Sequence, residues 1–426
     1  MLRYPLRFTP PSAPTRESAM SIPQSPTPPE PARPEDHQEL VTFLERIFRP
    51  ERMGSMAAEY PHLYAPELMP WNLVSRHCGR IVSVVGAFPI AFYIQSARPS
   101  MVLTVGGVGG VSTCPAHRGR GLMQAGLHTA IARMRDHEYA FSMLWGDRQR
   151  YAHFGYEDAG TELRGRAQRR QFPIGSGVPL DDWRPADPDS PEDMIRLADL
   201  DAGRSVCPYR TPERWSILLR RLGFSAYLAS AEATSPHQAF LIGGRDPRNR
   251  FRPRIAELGG NPVLWPSMVS AWLFENSLEE ADVFLQPDDR INATPLTDRL
   301  QQLGLYPTAM LKLLNLHRTL EPYLGILEER AQAHSFQDLP PVGIVPLESP
   351  EDAVTIQLSN GAAGLTRGVA EASVCVQLPE RQLVRWLFGP IPPLGFTGQL
   401  CRENPGAAPW QLLLPLPFPV PQLNRV

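Results

Sequence analysis

The residues with the clearest capacity for chemistry stand together in Arg118-Gly119-Arg120-Gly121-Leu122, a few positions after Val111-Ser112-Thr113. The Val- and Gly-rich run before them reads as a strand. The run after them places Met123, Leu127, Ala130, Ile131 and Met134 on one face and reads as a helix of about four turns. A glycine and arginine loop between a strand and a helix suits an anion. The first helical turn leaves N–H groups unpaired, glycines let a phosphate approach the backbone, and arginines add charge-assisted hydrogen bonds. The spacing is neither G-x-x-x-x-G-K-[ST] nor G-x-G-x-x-G, which sets ATP and NAD aside. Other reactive side chains have structural readings of their own. Tyr151 could be a core tyrosine at a sheet edge, Asp147 caps the turn before it, His117 caps or packs the loop, and Cys114 is a small buried residue. His128, His137 and His153 have no partner at metal-ligand spacing, so no metal is assigned.

The elements that would hold these residues can be read outward from the loop. The apolar spacing of Leu40, Phe43, Leu44, Ile47 and Phe48 predicts a helix that Pro50 ends. Strands are expected over 80–88, 91–94, 102–105 and 108–113, followed after the loop helix by a buried strand at Phe141-Ser142-Met143-Leu144-Trp145. A turn at Gly146-Asp147-Arg148, a short helix and a last strand complete a mixed sheet near residue 168. Residues 1–34, crowded with Pro, Ser and Thr, predict a disordered tail, with Met20 a second candidate start. Residues 169–305 predict a second sheet-containing domain without an Arg/Gly loop, and 306–426 a third, beginning near Met310-Leu311-Lys312-Leu313-Leu314. The apolar, proline-broken end at 412–421 is expected to pack into the body of the protein.

Bulk properties narrow the class. A chain of 426 residues, 42% hydrophobic and 20% charged, fits a multidomain globular protein. The net charge of -2 gives no argument for nucleic acid or an acidic membrane, and the arginine-rich run 164–170 reads as a solvated boundary face. Five scattered cysteines with no C-x-x-C point to reduced thiols and a cytoplasmic location. No stretch approaches the 18 or so apolar residues of a membrane span. Lys312 is the only lysine, which leaves no other lysine for catalysis.

The run 106–122 resembles the pyrophosphate loop of the GCN5-related N-acetyltransferases (GNAT), and in particular the three-domain branch related to the enhanced intracellular survival acetyltransferase. A second match is Leu144-Trp145-Gly146-Asp147-Arg148-Gln149-Arg150-Tyr151-Ala152-His153-Phe154-Gly155-Tyr156. The resemblance implies an α/β (α+β) architecture with a catalytic GNAT fold at 35–168 and a degenerate GNAT-like copy at 169–305. It makes 306–426 a sterol-carrier-like domain. It implies acetyl-coenzyme A as co-substrate and transfer of its acetyl group to a small-molecule or peptide amine. A homo-oligomer, often a hexamer in the family, is also implied; the best-known member acetylates aminoglycosides and protein lysines.

Carried over by position, Val111, Ser112 and Thr113 would meet the pantetheine arm, and Arg118, Gly119, Arg120, Gly121 and Leu122 would wrap the pyrophosphate. Tyr151 would be the general acid, and the carboxylate of Val426 the general base. The strand before the loop holds no Glu or Asp, so the internal carboxylate used by many acetyltransferases is missing here. A competing reading is a non-enzymatic carrier or sensor that binds coenzyme A or an apolar ligand without turnover, suggested by the apolar stretches at 311–316 and 412–420.

Overall fold

The computed structural model describes residues 25–221, 223–232, 236–245, 252–288, 292–370, 374–390 and 405–426. Most of the expected tail, Met20 and Cys401 lie outside the described residues. Residues 25–34, assigned to that tail, are instead ordered. Strand β1, Glu30–Pro31, pairs with β2, Asn72–His77. Thr27 N donates to Arg76 O at 2.7 Å, and Ala32 N to Asn72 O at 2.8 Å. The prolines are tolerated because an edge strand needs only one side of its backbone bonded.

The first sheet is built on a long hairpin, β3 (Arg80–Ile94) and β4 (Met101–Thr113). Four separate strands were expected here. Continuous pairing carries the backbone through Pro89 and through the glycines at 106–110, and so overrides local strand-breaking signals. Helix α1 (His37–Phe48) and the short α2 (Met56–Glu59) cover one face, together with Tyr60, Tyr64 and Trp71. Helix α3 (Leu122–Asp136) covers the other through Leu127, Ala130, Ile131 and Met134. Strand β5 (Phe141–Leu144) runs parallel to β4, and β6 (Glu157–Ala159) follows the five-residue α4 (Arg148–Ala152).

One strand of this sheet comes from far along the chain. Ala309–Leu313 lies between β5 and β6, pairing antiparallel with both. In return β7 (Glu162–Gln168), expected to end the first domain, pairs within the second sheet between Gln301–Tyr306 and Glu280–Leu285. The residue pattern explains the exchange. All five residues of Ala309–Leu313 are buried, as a central strand requires, and Lys312 is admitted by a 2.9 Å ion pair with Glu380. Strand β7 alternates half-exposed Arg164 and Arg166 with buried Gly165 and Ala167. Its arginines pair with Glu162, Glu280 and Asp282, so this run is part of a strand ladder and not the free basic boundary face expected.

The second sheet has seven strands, and the third, of four, runs in the order Ala362–Arg367, Val354–Ser359, Leu339–Pro346, Val374–Leu378. The whole is an α+β structure. The apolar cavity beside the third sheet, lined by residues such as Leu327, Ile344 and Trp386, holds about 20 Å³. That is room for about one water and not for a lipid tail. No helix among the described residues is long and apolar enough to cross a membrane. The last segment threads back through the body: Leu416, Phe418, Val420 and Leu423 are fully buried, as the exposure argument required.

Candidate active site

The site forms where β4 and β5 part company. Their parallel pairing runs from Val105 and Phe141 to Val108 and Leu144 and then stops, while β4 continues to Thr113. One edge of β4 from Gly109 onward is therefore left without a strand beside it. A bulge lies at the start of that free edge: Gly86 faces Gly109 but Val84 faces Ser112, so β4 has one extra residue. Gly110 sits there at φ +63°, and a Cβ on it would stand 2.9 Å from the Tyr64 hydroxyl, so both backbone and space call for glycine.

Beyond β4 the chain turns through Gly119 and Gly121, both at φ +75°, into α3. No heavy atom stands within 4 Å of where either Cβ would be, so the turn is an open cradle against the unpaired N–H groups of the first helical turn. A groove of about 850 Å³ runs along it, with the apolar Phe48 and Phe154 among its walls. Val111, Ser112, Thr113, Arg118, Gly119, Gly121 and Leu122 all line this groove; Arg120 is exposed beside it and does not. His117 also lines it and packs against His77, with ring centroids 4.9 Å apart and ring planes tilted by 57°. Desolvation, then Arg120 and His77, lower its pKa, which favours a packing role in neutral form. Among the described residues no cluster of His, Cys, Asp or Glu is placed to hold a metal ion.

On the β5 side, Asp147 caps α4 by accepting from Gln149 N at 2.9 Å and Arg150 N at 3.4 Å. This fixes Tyr151, whose ring packs so closely on Gly146 that no Cβ fits there. Tyr151 is 7% exposed, and burial raises its pKa above the ordinary phenol value, with Arg150 working against the shift. Its proton stays in place at neutral pH.

The end of the chain arrives at the same fork. A Cβ on Gly107 would meet the Val426 side chain at 3.0 Å, and one on Gly109 would meet the Val426 main-chain carbon at 3.1 Å. Four anchors hold the segment. Arg210 Nε donates to Asn424 Oδ1 at 2.9 Å, and Arg221 donates to the carbonyls of Gln422 and Leu423. Arg254 reaches Gln422 Oε1 at 3.2 Å, and Arg425 bonds Glu162 Oε2 at 2.7 Å. Three of these arginines, Arg210, Arg221 and Arg254, lie within 169–305, expected as a second domain. A second cavity, of about 510 Å³, opens beside Asn424 and is walled by His62, Trp71, Phe88, Ile90, Tyr209 and Arg214, among others.

Residues 29–159 match the family model of an acetyltransferase (GNAT) domain. The chain therefore carries a GNAT acetyltransferase domain. It is an acetyl-coenzyme A-dependent transferase. None of the curated proteins compared matches it in sequence. Among solved structures, it is similar to a conserved protein of unknown function from Enterococcus faecalis V583 described as a probable N-acyltransferase. That match has a TM-score of 0.66 and 14% identity, and covers 93% of this chain and 98% of the other. A GCN5-related N-acetyltransferase from Anabaena variabilis gives 0.62 and 17%, over 91% and 96%. Eis1 from Mycobacterium abscessus gives 0.58 and 13%, over 92% and 99%. At such identities the likeness is one of fold, extending over all three sheets.

The loop and the free edge of β4 line one groove, and Val426 reaches Gly109 where that edge begins; Tyr151 packs with Val108 and Leu144 beside the fork and lines neither cavity. Sequence reasoning missed the second cavity and the arginine anchors. The aromatic stretch around His62 was the only hint of the first, and nothing local marks Arg210, Arg221 or Arg254 as tail-binding.

Proposed function

We propose that this chain moves the acetyl group of acetyl-coenzyme A directly onto an amine, with the coenzyme in the 850 Å³ groove and the amine entering from the 510 Å³ cavity. The thioester supplies the activated acetyl group. Val111 to Thr113 offer backbone bonds to the pantetheine arm along the free edge of β4, and Arg118, Gly119, Gly121 and Leu122 receive the pyrophosphate. The amine nitrogen forms a C–N bond as the C–S bond breaks. Tyr151 donates its hydroxyl proton to the departing sulfur. The Val426 carboxylate holds the ammonium and accepts its proton through water, because an α-carboxyl with an ordinary pKa near 3.5 is a weak base on its own. Products are an N-acetyl amine, free coenzyme A thiol and one proton. The second domain is read as a degenerate copy that now anchors the tail, and the third as a sterol-carrier-like domain that delivers it.

The observation that carries this reading is the position of Val426 against Gly109, where β4 leaves β5. Incubation of the full chain with labelled acetyl-coenzyme A and a library of amines tests it. Labelled amide with equimolar thiol release is expected; coenzyme binding with no transfer to any amine refutes it.

A further inference from the structure

Several arginines of the second domain are neutralised by buried carboxylates. Arg204 and Arg210 share Asp201 and Glu257, and Arg184 pairs with Asp193 at 2.6 Å. Arg214 breaks the pattern. It lines the 510 Å³ cavity half-buried, its main chain donates to Thr211 Oγ1, and its guanidinium has no hydrogen bond among the described residues. No carboxylate among the described residues lies within ion-pair distance of its guanidinium, Glu67 on the same cavity included. Desolvation, then repulsion from Arg210, hold its pKa down to about 10, so it stays a cation but an unfavourably placed one.

Nothing nearby offsets this charge. His62, 3% exposed and on the same wall, has both ring nitrogens buried without a hydrogen bond of good geometry, although the main chain of Arg425 is close by. Burial, then Arg221 and Arg214, keep its ring neutral. The helix Pro212–Leu219 turns its positive end toward the same space, with Thr211 on the cavity wall. Elsewhere the lining is apolar and aromatic, from Trp71, Phe88, Ile90 and Tyr209. A cation taken partly out of water with no counter-ion, at the edge of an apolar chamber, is complete only when a ligand brings the anion. A planar guanidinium matches a carboxylate in two parallel hydrogen bonds.

We infer that the acceptor is an amine carrying a carboxylate on an apolar body, of the kind of a hydrophobic amino acid, and that Arg214 receives the carboxylate. The inference rests on the proposed transfer to amines and narrows its substrate class, against polycations such as aminoglycosides.

The test compares L-phenylalanine with 2-phenylethylamine, which differ by the carboxylate alone, on the full chain and its Arg214→Gln and Arg214→Lys variants. The wild type is expected to favour phenylalanine at least tenfold in kcat/KM. Arg214→Gln removes that preference with coenzyme affinity unchanged, and Arg214→Lys restores part of it. Equal or better use of 2-phenylethylamine by the wild type, or an unaltered preference in Arg214→Gln, overturns the inference. Calorimetry of the two N-acetyl products on the coenzyme A complex gives a readout independent of turnover. Tighter binding of N-acetylphenylalanine that is lost in Arg214→Gln sustains the pocket even if no amine is acetylated, in which case only the transfer reading fails. Equal affinities of the two products overturn the pocket.

Discussion

Replacing Gly109 by alanine is a sensitive probe of whether the end of the chain takes part in catalysis. The added methyl would stand 3.1 Å from the main-chain carbon of Val426, 3.4 Å from its Cβ and 3.7 Å from its Cα. The first of these is about 0.3 Å inside ordinary van der Waals contact, which begins near 3.4 Å. The tail cannot easily step aside, since Arg210, Arg221 and Arg425 fix residues 422–425 immediately before Val426. Misplacing a reacting group by 1 Å costs on the order of 10²-fold, so 0.3 Å should cost about fourfold in kcat, or about 0.8 kcal/mol. Gly109 has a φ that any residue adopts, and it lies upstream of the groove, so coenzyme affinity should be unchanged. The assay is steady-state turnover on an identified amine for Gly109→Ala, for deletion of Val426, and for both together. If the terminus acts at the fork, deletion removes most activity and the methyl then adds nothing. A full fourfold loss from Gly109→Ala in the deletion background would falsify the reasoning, because the methyl would then act through β4 alone.

Tyr151→Phe should lower turnover about 10²-fold with coenzyme affinity and Tm nearly unchanged. Because burial raises the Tyr151 pKa, wild-type turnover should climb with pH as the amine loses its proton, with no alkaline decline below pH 10; a pH–rate profile from 6 to 11 checks both limbs. Gly121→Val places a branched side chain at φ +75° in the mouth of the cradle, and calorimetry should find coenzyme A bound at least tenfold more weakly while the fold survives. Arg425→Met removes the 2.7 Å bond to Glu162 and should reduce kcat more than coenzyme binding, measured on the same amine.

What the sequence reveals and what it hides divide by range. The loop at 118–122 and the turn before Tyr151 are legible because strand, cap and helix signals lie within a few residues of the glycines and of Asp147. Periodicity also locates α1 and α3. The exchange of β7 for Ala309–Leu313 is not legible, since both runs look like strands and only the assembled sheets decide which edge each fills. The unpaired charge of Arg214 is hidden for a related reason. In a chain with many arginines, the absence of a partner is visible only when every neighbour is in place.

The borrowed strand also sets an order of events during synthesis. When residues 30–159 have left the ribosome, the sheet they form has β5 and β6 with an empty lane between them, which only Ala309–Leu313 can fill. Residues 160–313 must still be made, a wait of roughly 8–30 s at the usual pace of translation. Throughout it, the edge of β5 is an open template for any passing strand. The nascent GNAT domain should therefore be a chaperone client, and expressed as residues 29–159 alone it should aggregate where the whole chain does not.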